Sequence, residues 1–387
     1  NNTAIGYNAG TAVTTGGFSV FVGAEAGKVQ TTGNTNVGIG YQALVANVDG
    51  DRNTAVGTLA LAALDPASNV DMENVAVGYY AGAAMTTGTS NVLIGARAGD
   101  GITTLGTTIA IGSDALGAAL TGAGNIAVGH TAGAAATDMN KSILIGYETG
   151  NDITTGGHHV FIGYQAGDGF DTETHNMGIG EAALGGAVAG GEYNVAIGNY
   201  ALDALTSADE NVAVGYNALT DLTTGGKNTA CGYEALANVV GGVGNVGLGR
   251  YSGGTITSGS NNICIGEDAG NSGSPGGALG TGDNQLCLGD ENIANAHVQV
   301  DWTVASDKRD KTDVSSIDIG LDFINKLEPV TYHWDKRSKY DDQNPTGEHK
   351  EDKLDIGFLA QDVEVIENEY GYKKEDKTNL TTSLSED

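Results

Sequence analysis

The stretch Asn125-Ile126-Ala127-Val128-Gly129 returns along the chain in slightly altered form. It comes back as Asn194-Val195-Ala196-Ile197-Gly198, as Asn211-Val212-Ala213-Val214-Gly215 and as Asn245-Val246-Gly247-Leu248-Gly249. Aligned on the final glycine, the phrase occurs 17 times, from Gly6, Gly23 and Gly40 to Gly266 and Gly289. Successive glycines are 17 residues apart in all but three steps, which are 21, 18 and 23. Composition bias cannot hold such a register; a fixed period of this length is the signature of a repeat architecture whose units stack on one another.

Each column of the alignment has a physical reading. The residue before the glycine is Ile or Val in 14 of the 17 repeats, the exceptions being Cys231, Leu248 and Leu288. Three before the glycine is again apolar or Thr, as at Val20, Val37, Val75, Ile109 and Ile126. Two apolar positions separated by one residue predict a short β-strand with these two side chains on its buried face. The residue between them is usually small (Ala4, Ala55, Ala76, Ala127, Ala196, Ala213), which is expected to let a second surface approach. Ala stands three after the glycine in 14 repeats, followed almost always by Gly or Leu, and turns such as Thr14-Thr15-Gly16 and Thr223-Thr224-Gly225 close many units. Asn stands four before the glycine in 12 repeats, Asn36, Asn53, Asn74 and Asn91 among them. In stacked coils, identical side chains lie about 4.8 Å apart, close enough for amides to bond to one another, so an internal ladder that fixes register is favoured over a binding face.

These columns predict a mainly β protein, a β-solenoid or β-roll in which 17 residues make one turn with two short strands and two bends. Seventeen turns at about 4.8 Å give a rod of roughly 80 Å. A thin coil of Ala, Gly and Val buries little area, so three chains are expected to pack together over the small-residue face. The composition agrees with a thin repetitive structure: 62 of 387 residues are Gly, against 6% aromatic and 17% charged. With 4 Pro and no glycine every third residue, collagen is excluded. The net charge of -30 leaves no basic footprint for nucleic acid or anionic membrane, and no apolar run reaches the length of a membrane-spanning helix. Three cysteines, Cys231, Cys264 and Cys287, make no disulfide framework; Cys231 and Cys264 are expected in the core. The chain opens inside the pattern at Asn1-Asn2-Thr3-Ala4-Ile5-Gly6 and so reads as part of something longer.

Near residue 300 the character changes. Residues 306–387 hold 33 charged residues and 4 glycines, whereas residues 1–305 hold 33 and 58. The expected division is therefore a repeat rod over 1–295, a linker over 296–305 and a small α+β domain over 306–387. In that domain Asp318–Leu327 has helical spacing ended by Pro329, Val330–Trp334 alternates like a strand, and Ile356–Val365 is mixed and apolar.

Three ordered motifs lie in this last part: Ser306-Asp307-Lys308-Arg309-Asp310-Lys311, then Leu327-Glu328-Pro329-Val330-Thr331-Tyr332-His333-Trp334, then Gly357-Phe358-Leu359-Ala360-Gln361-Asp362-Val363. Their order resembles the intramolecular chaperone domain of endosialidase-type tailspikes and phage tail fibres. The resemblance implies a C-terminal domain that trimerises the fibre, guides its folding and then cuts itself off. It implies cleavage at Ala305–Ser306, with Ser306 as nucleophile, Lys311 as general base, and Asp307 and Arg309 supporting the motif. A serine hydroxyl needs a neighbour to take its proton, and a lysine can serve only when burial or nearby cations such as Lys308 or Arg309 lower its pKa. Burial on assembly would then gate the cut. In that family the domain continues into further helices, so the stretch ending at Asp387 is expected to be incomplete. The repeats themselves are similar to those of phage tail fibres and to the head repeats of trimeric autotransporter adhesins.

The resemblance makes the chain the distal part of a trimeric tail fibre, located in the virion tail. Its partners would be two further copies, other tail proteins and a host-surface glycan or outer-membrane component, with no nucleic acid, membrane insertion, metal or cofactor. The alternatives are a bacterial trimeric adhesin and a polysaccharide-degrading tailspike; for the last, the acidic residues of the repeat are scattered without a recurring pair. Threonine pairs do not recur in every coil, which disfavours an ice-binding rod. Weaker candidates are His158-His159, expected to be structural; Asp168-Gly169-Phe170-Asp171, faintly like a calcium loop; and a tyrosine after the anchor glycine in seven repeats (Tyr7, Tyr41, Tyr79, Tyr147, Tyr164, Tyr216, Tyr233), which suits packing between coils better than sugar stacking. Inserted loops are expected at Asp65–Glu73, Gly185–Glu192 and Asn271–Asp283, natural places for receptor contacts.

Overall fold

The computed structural model describes residues 1–294, 321–335, 346–350 and 352–371. It divides into two compact units, Asn1–Asn292 and Ile293–Asp387.

The first unit is a β-solenoid. Each of the 17 repeats contributes one three-residue strand to a single 17-stranded parallel sheet, repeat pairing with repeat. Ile126, Ala127 and Val128, for example, stand opposite Ile143, Leu144 and Ile145. The irregular spacings do not disturb this register: Thr54 still pairs with Val75 across the 21-residue step, and Ile263 with Leu286 across the 23-residue one. Extra residues are therefore accommodated outside the strand, and the loop around Val70–Asp71 makes its own short parallel pair with Gly50–Asp51.

The expected second strand does not recur in every coil: among the described residues it forms only as that pair, with one isolated bridge between Gly157 and Thr174. Elsewhere its place is taken by turns whose backbone is left-handed at non-glycine positions such as Gln42, Leu44 and Arg52, repeated in the next coil at Leu59, Leu61 and Glu73. These turns are not wasted as hydrogen-bonding surface. Gly10 N–H donates to the Ala26 carbonyl at 2.9 Å and Thr14 N–H to that of Thr31 at 3.1 Å, so the ladder between coils continues beyond the strands.

The anchor glycine is where the coil turns out of its strand. Gly180 has φ of +136°, and a Cβ there would lie 2.6 Å from both the carbonyl carbon and oxygen of Gly198 in the next coil. Both the dihedral and the space demand glycine, and the same holds along the column from Gly6 to Gly249.

The side chains facing inward are not those that strand periodicity first suggests. The Ile and Val one and three before the glycine point outward, half-buried or exposed, while the residue between them is the buried one: Phe21, Ala55, Leu93, Ala127, Leu144 and Phe161 are all fully buried. Thus the small-residue face is the interior of each coil, not a face awaiting another chain. The reason is parity. Successive strand residues alternate sides, and the Asn column, two before the small column, is drawn inside by its hydrogen bonds. Cys231 sits in an outward column and is exposed, correcting its expected place in the core, whereas Cys264 and Cys287 sit inward and are buried. Burial pushes the Cys264 thiol up to about 12.

Interior volume is shared between two columns. Where the strand slot holds Phe21, Leu93, Leu144 or Phe161, the slot four after the anchor glycine is Gly27, Gly99, Gly150 or Gly167, and a Cβ there would collide with that side chain. Where the strand slot is small, as at Ala55, Ala196 and Ala213, the other slot fills with Leu61, Leu202 and Leu219, all fully buried. A third inward row, seven after the glycine in most coils, includes Leu64, Met85, Ile102, Ile153, Phe170 and Leu205. One coil alone could not exclude water from these residues; stacking makes the core continuous.

In the second unit, α1 spans Leu321–Lys326 and α2 spans Ala360–Glu369. Strand Val330–Tyr332 pairs antiparallel with Asp355–Gly357, Thr331 standing opposite Ile356. These match the helical and strand-like stretches expected from spacing, with the last stretch resolved into a strand and a helix. No helix among the described residues is long and apolar enough to cross a membrane.

Candidate functional site

Ala305, Ser306, Asp307, Arg309 and Lys311 lie outside the described residues. The companion motifs lie within them. The strand Val330–Tyr332 of the Leu327–Trp334 motif pairs with Asp355–Gly357, which ends where the motif Gly357–Val363 begins, so the two form one small antiparallel sheet. Beside it, Asn325, Lys326, Phe358, Leu359, Asp362 and Ile366 help to line a cleft of about 530 Å³. Phe323 packs edge-on against Tyr370 with ring centres 5.7 Å apart, tying α1 to the end of α2. Lys326 Nζ donates to Glu369 Oε2 at 2.6 Å and lies 5.0 Å from the Tyr370 ring centre. The hydrogen bond to Glu369 raises the pKa of Lys326, opposite to what a general base requires. Lys326 therefore ties the two helices together.

On the rod, the Asn column is an internal ladder. Asn211 Nδ2 donates to Asn194 Oδ1 at 3.1 Å, and the bond repeats from Asn228 to Asn211 and from Asn245 to Asn228 at 3.1 Å. The same oxygen accepts the next backbone N–H, as Asn211 Oδ1 does from Asn228 at 2.9 Å. The amide also reaches along its coil: Asn228 Nδ2 donates to the Gly242 carbonyl at 2.9 Å. These amides are buried and committed to each other, so the column offers no binding face. The ladder is modified at Ser19, Thr108, Ser142, His159 and Gln285. Thr108 interrupts it, since its hydroxyl is buried without a partner.

His159 reproduces the asparagine pattern with a ring. Its Nε2 lies 2.9 Å from the Glu173 carbonyl oxygen and its Nδ1 receives the Asn176 N–H at 3.3 Å, the arrangement of a neutral imidazole protonated at Nε2. The ring stacks on Phe161 at 4.8 Å. Burial in this core pushes its pKa down to about 4. His159 is thus structural, as expected; His158 points the other way and stacks on His175 at 4.7 Å.

The tyrosine column also serves packing. His130, Tyr147 and Tyr164 stack in succession at 5.1 and 5.6 Å, and Tyr216 on Tyr233 at 5.3 Å. In these runs ring faces meet ring faces, which leaves mainly edges for a sugar. In the stretch Asp168-Gly169-Phe170-Asp171, Phe170 is a core residue. Burial, with Asp152 next, pushes the Asp168 carboxyl up to about 6. No group of side chains able to hold a metal ion occurs among the described residues.

Sequence reasoning missed the buried Glu173, whose carboxylate accepts backbone N–H groups from Asp171, Thr172 and Gly190. It also missed the polar pair Gln30 and Asn47 in the third inward row, where the Gln30 Oε1 accepts from Asn36 at 3.0 Å. Both could have been noticed as polar residues standing in columns that are otherwise apolar or turn-forming.

No curated protein and no solved structure matches the chain. Residues 306–372 match the family model described as chaperone of endosialidase, and the match begins at the motif serine. This stretch is thus similar to the chaperone-of-endosialidase family, and in sequence it follows a solenoid of 17-residue coils.

Proposed function

We propose that this chain is the distal part of a trimeric phage tail fibre or tailspike, with the solenoid as a rigid spacer that helps the virion reach and adhere to a host surface. The observation that carries this reading is the chaperone-of-endosialidase match placed directly behind a repetitive β rod. A solenoid must bring strand after strand into one register, and a chain of near-identical coils can pair out of step as easily as in step. A terminal domain that gathers the chains and sets their register answers that need.

On this reading Ser306 Oγ attacks the Ala305 carbonyl carbon while Lys311 takes its proton. The carbonyl–nitrogen bond breaks, the proton passes to the freed Ser306 amine, and an Ala305 ester on Ser306 Oγ forms. Water then hydrolyses the ester, leaving a carboxylate at Ala305. The outward loops at Asp65–Glu73, Gly185–Glu192 and Asn271–Asp283 are the receptor-contact candidates on the rod. The test is the mass of the denatured chain for wild type and Ser306→Ala. Wild type is expected to yield a rod fragment ending at Ala305 while the variant stays whole. If both stay whole, self-cleavage is wrong and the domain is a permanent tip; if both are cut at Ala305, Ser306 is not the nucleophile.

A further inference from the structure

Among the described residues of Asn1–Asn292, nothing covers the outward face of the 17-stranded sheet. It presents the residues one and three before each anchor glycine, two per coil. Although 17% of the chain is charged, none of the 51 residues in these strands carries a charge. Ile145 remains 37% exposed, Ile197 38%, Ile265 42% and Leu288 45%. With two partly exposed side chains in each of 17 coils, the stripe is one continuous and mostly apolar surface along the rod, whereas a typical monomer exposes apolar patches of only a few hundred Å².

Two features identify what covers it. The three length irregularities leave the stripe unbroken, since the extra residues are placed away from the strands and register holds across the 21- and 23-residue steps. A surface kept straight while the rest of the coil varies is one that must fit along its whole length. It also repeats at the coil spacing of about 4.8 Å, and only a partner with that same period can meet every coil. Another copy of this rod has it.

We infer that the Ile/Val stripe is the face through which copies of this chain pack against one another, parallel and in register, along the rod. The inference rests on the trimeric reading above, and it moves the contact from the small-residue face to the opposite side of the strand. Charge stays off the stripe, because the acidic residues of the rod lie outside the 17 stacked strands. Cys231, exposed in the stripe, is a natural reporter, while Cys264 and Cys287 are buried inside the coil.

The test uses the full chain. Sedimentation equilibrium is measured for wild type, for the double variant Ile145→Asp with Ile197→Asp, and for the exposed off-stripe control Ser207→Asp, with circular dichroism to check the fold. Wild type and control are expected to form the same assembly, and the double variant to associate at least tenfold more weakly with an unchanged spectrum. A folded double variant that assembles like wild type overturns the stripe while leaving the trimer standing. A monomeric wild type overturns both. Should the double variant fail to fold, the wild-type chain decides: diamide, reduced to its hydrazide as two thiols become one disulfide, is expected to link chains through Cys231, and Cys231→Ser to abolish the link. No link in wild type overturns the inference.

Discussion

Gly180→Ala is expected to lower the stability of the rod by about 4 kcal/mol or more, a loss reserved for severe mechanisms. Two costs combine. The backbone sits at φ +136°, where an L side chain is strained, and the new Cβ would lie 2.6 Å from the Gly198 carbonyl of the next coil. That neighbour is backbone, so relief requires the coils to separate. Separation weakens the bonds that join them: Gly180 N–H to the Ile162 carbonyl at 2.8 Å and Gly198 N–H to that of Ile179 at 2.7 Å. Because each coil touches only its neighbours, the damage should also divide the rod, broadening or splitting the denaturant transition. Gly244→Ala is the control. Its φ is +70° and nothing lies within 4 Å of a Cβ there. Its column holds Lys227 and Asn261 at the same left-handed angle, so a cost of about 1 kcal/mol is expected. Guanidinium unfolding of the three proteins measures both; equal losses would mean that the anchor glycine is not what joins coil to coil.

The second large effect is a loss of stability in acid traceable to one ring. His159 is neutral in the fold, with its pKa pushed from 6.5 down to about 4, chiefly by burial. The unfolded chain therefore binds the proton more readily than the folded one. The ring's contribution is fully present above about pH 6.5 and is lost as pH falls toward 4, reaching about 3 kcal/mol when complete. Between about pH 7 and about pH 5 the expected loss is about 2 kcal/mol. That range stays above the sequence pI of about 4.3, where solubility fails. Asp168 acts in the other direction: its carboxyl, pushed up to about 6, disfavours the fold when ionised, so acid relieves it. His159→Asn separates the two. Asparagine is the usual residue of this column and can make the same two bonds, while Asp168 is untouched. Subtracting the variant's unfolding free energy from that of wild type at each pH should leave a difference that falls by about 2 kcal/mol over this window; a flat difference would show that His159 does not titrate as described.

Much of the rod was legible because every column is sampled 17 times. Period, anchor glycine and Asn ladder all follow from spacing and from what a stacked coil does with identical side chains. The direction of the strand was misread, yet the sequence held the correction. If the Asn column is internal, alternation puts Ala127 and Phe161 inside and Val128 and Ile162 outside. Hydrophobicity alone pointed the wrong way because the outward residues are the more apolar ones, and that reversal is sensible only on a surface meant to be covered. The second strand was overcalled because turn residues such as Gln42 and Arg52 carry no sign of the left-handed backbone they adopt. In the C-terminal domain, helical spacing located α1 and alternation the strand Val330–Tyr332, whereas the mixed stretch Ile356–Val365 did not separate its strand from α2. The two companion motifs meet at one end of a sheet, where Val330 stands opposite Gly357. Ser306 and Lys311 lie outside the described residues, so their chemistry rests on motif and family match.

The central claim is that the C-terminal domain builds the rod. It is tested most directly by making the chain in two forms, residues 1–387 and residues 1–305, and weighing the soluble product of each by light scattering. The account predicts assembled rods from the longer form, whether or not the domain is later cut away, and monomer or aggregate from the shorter one. If residues 1–305 alone reach the same assembly in the same yield, the domain is not the chaperone of this rod.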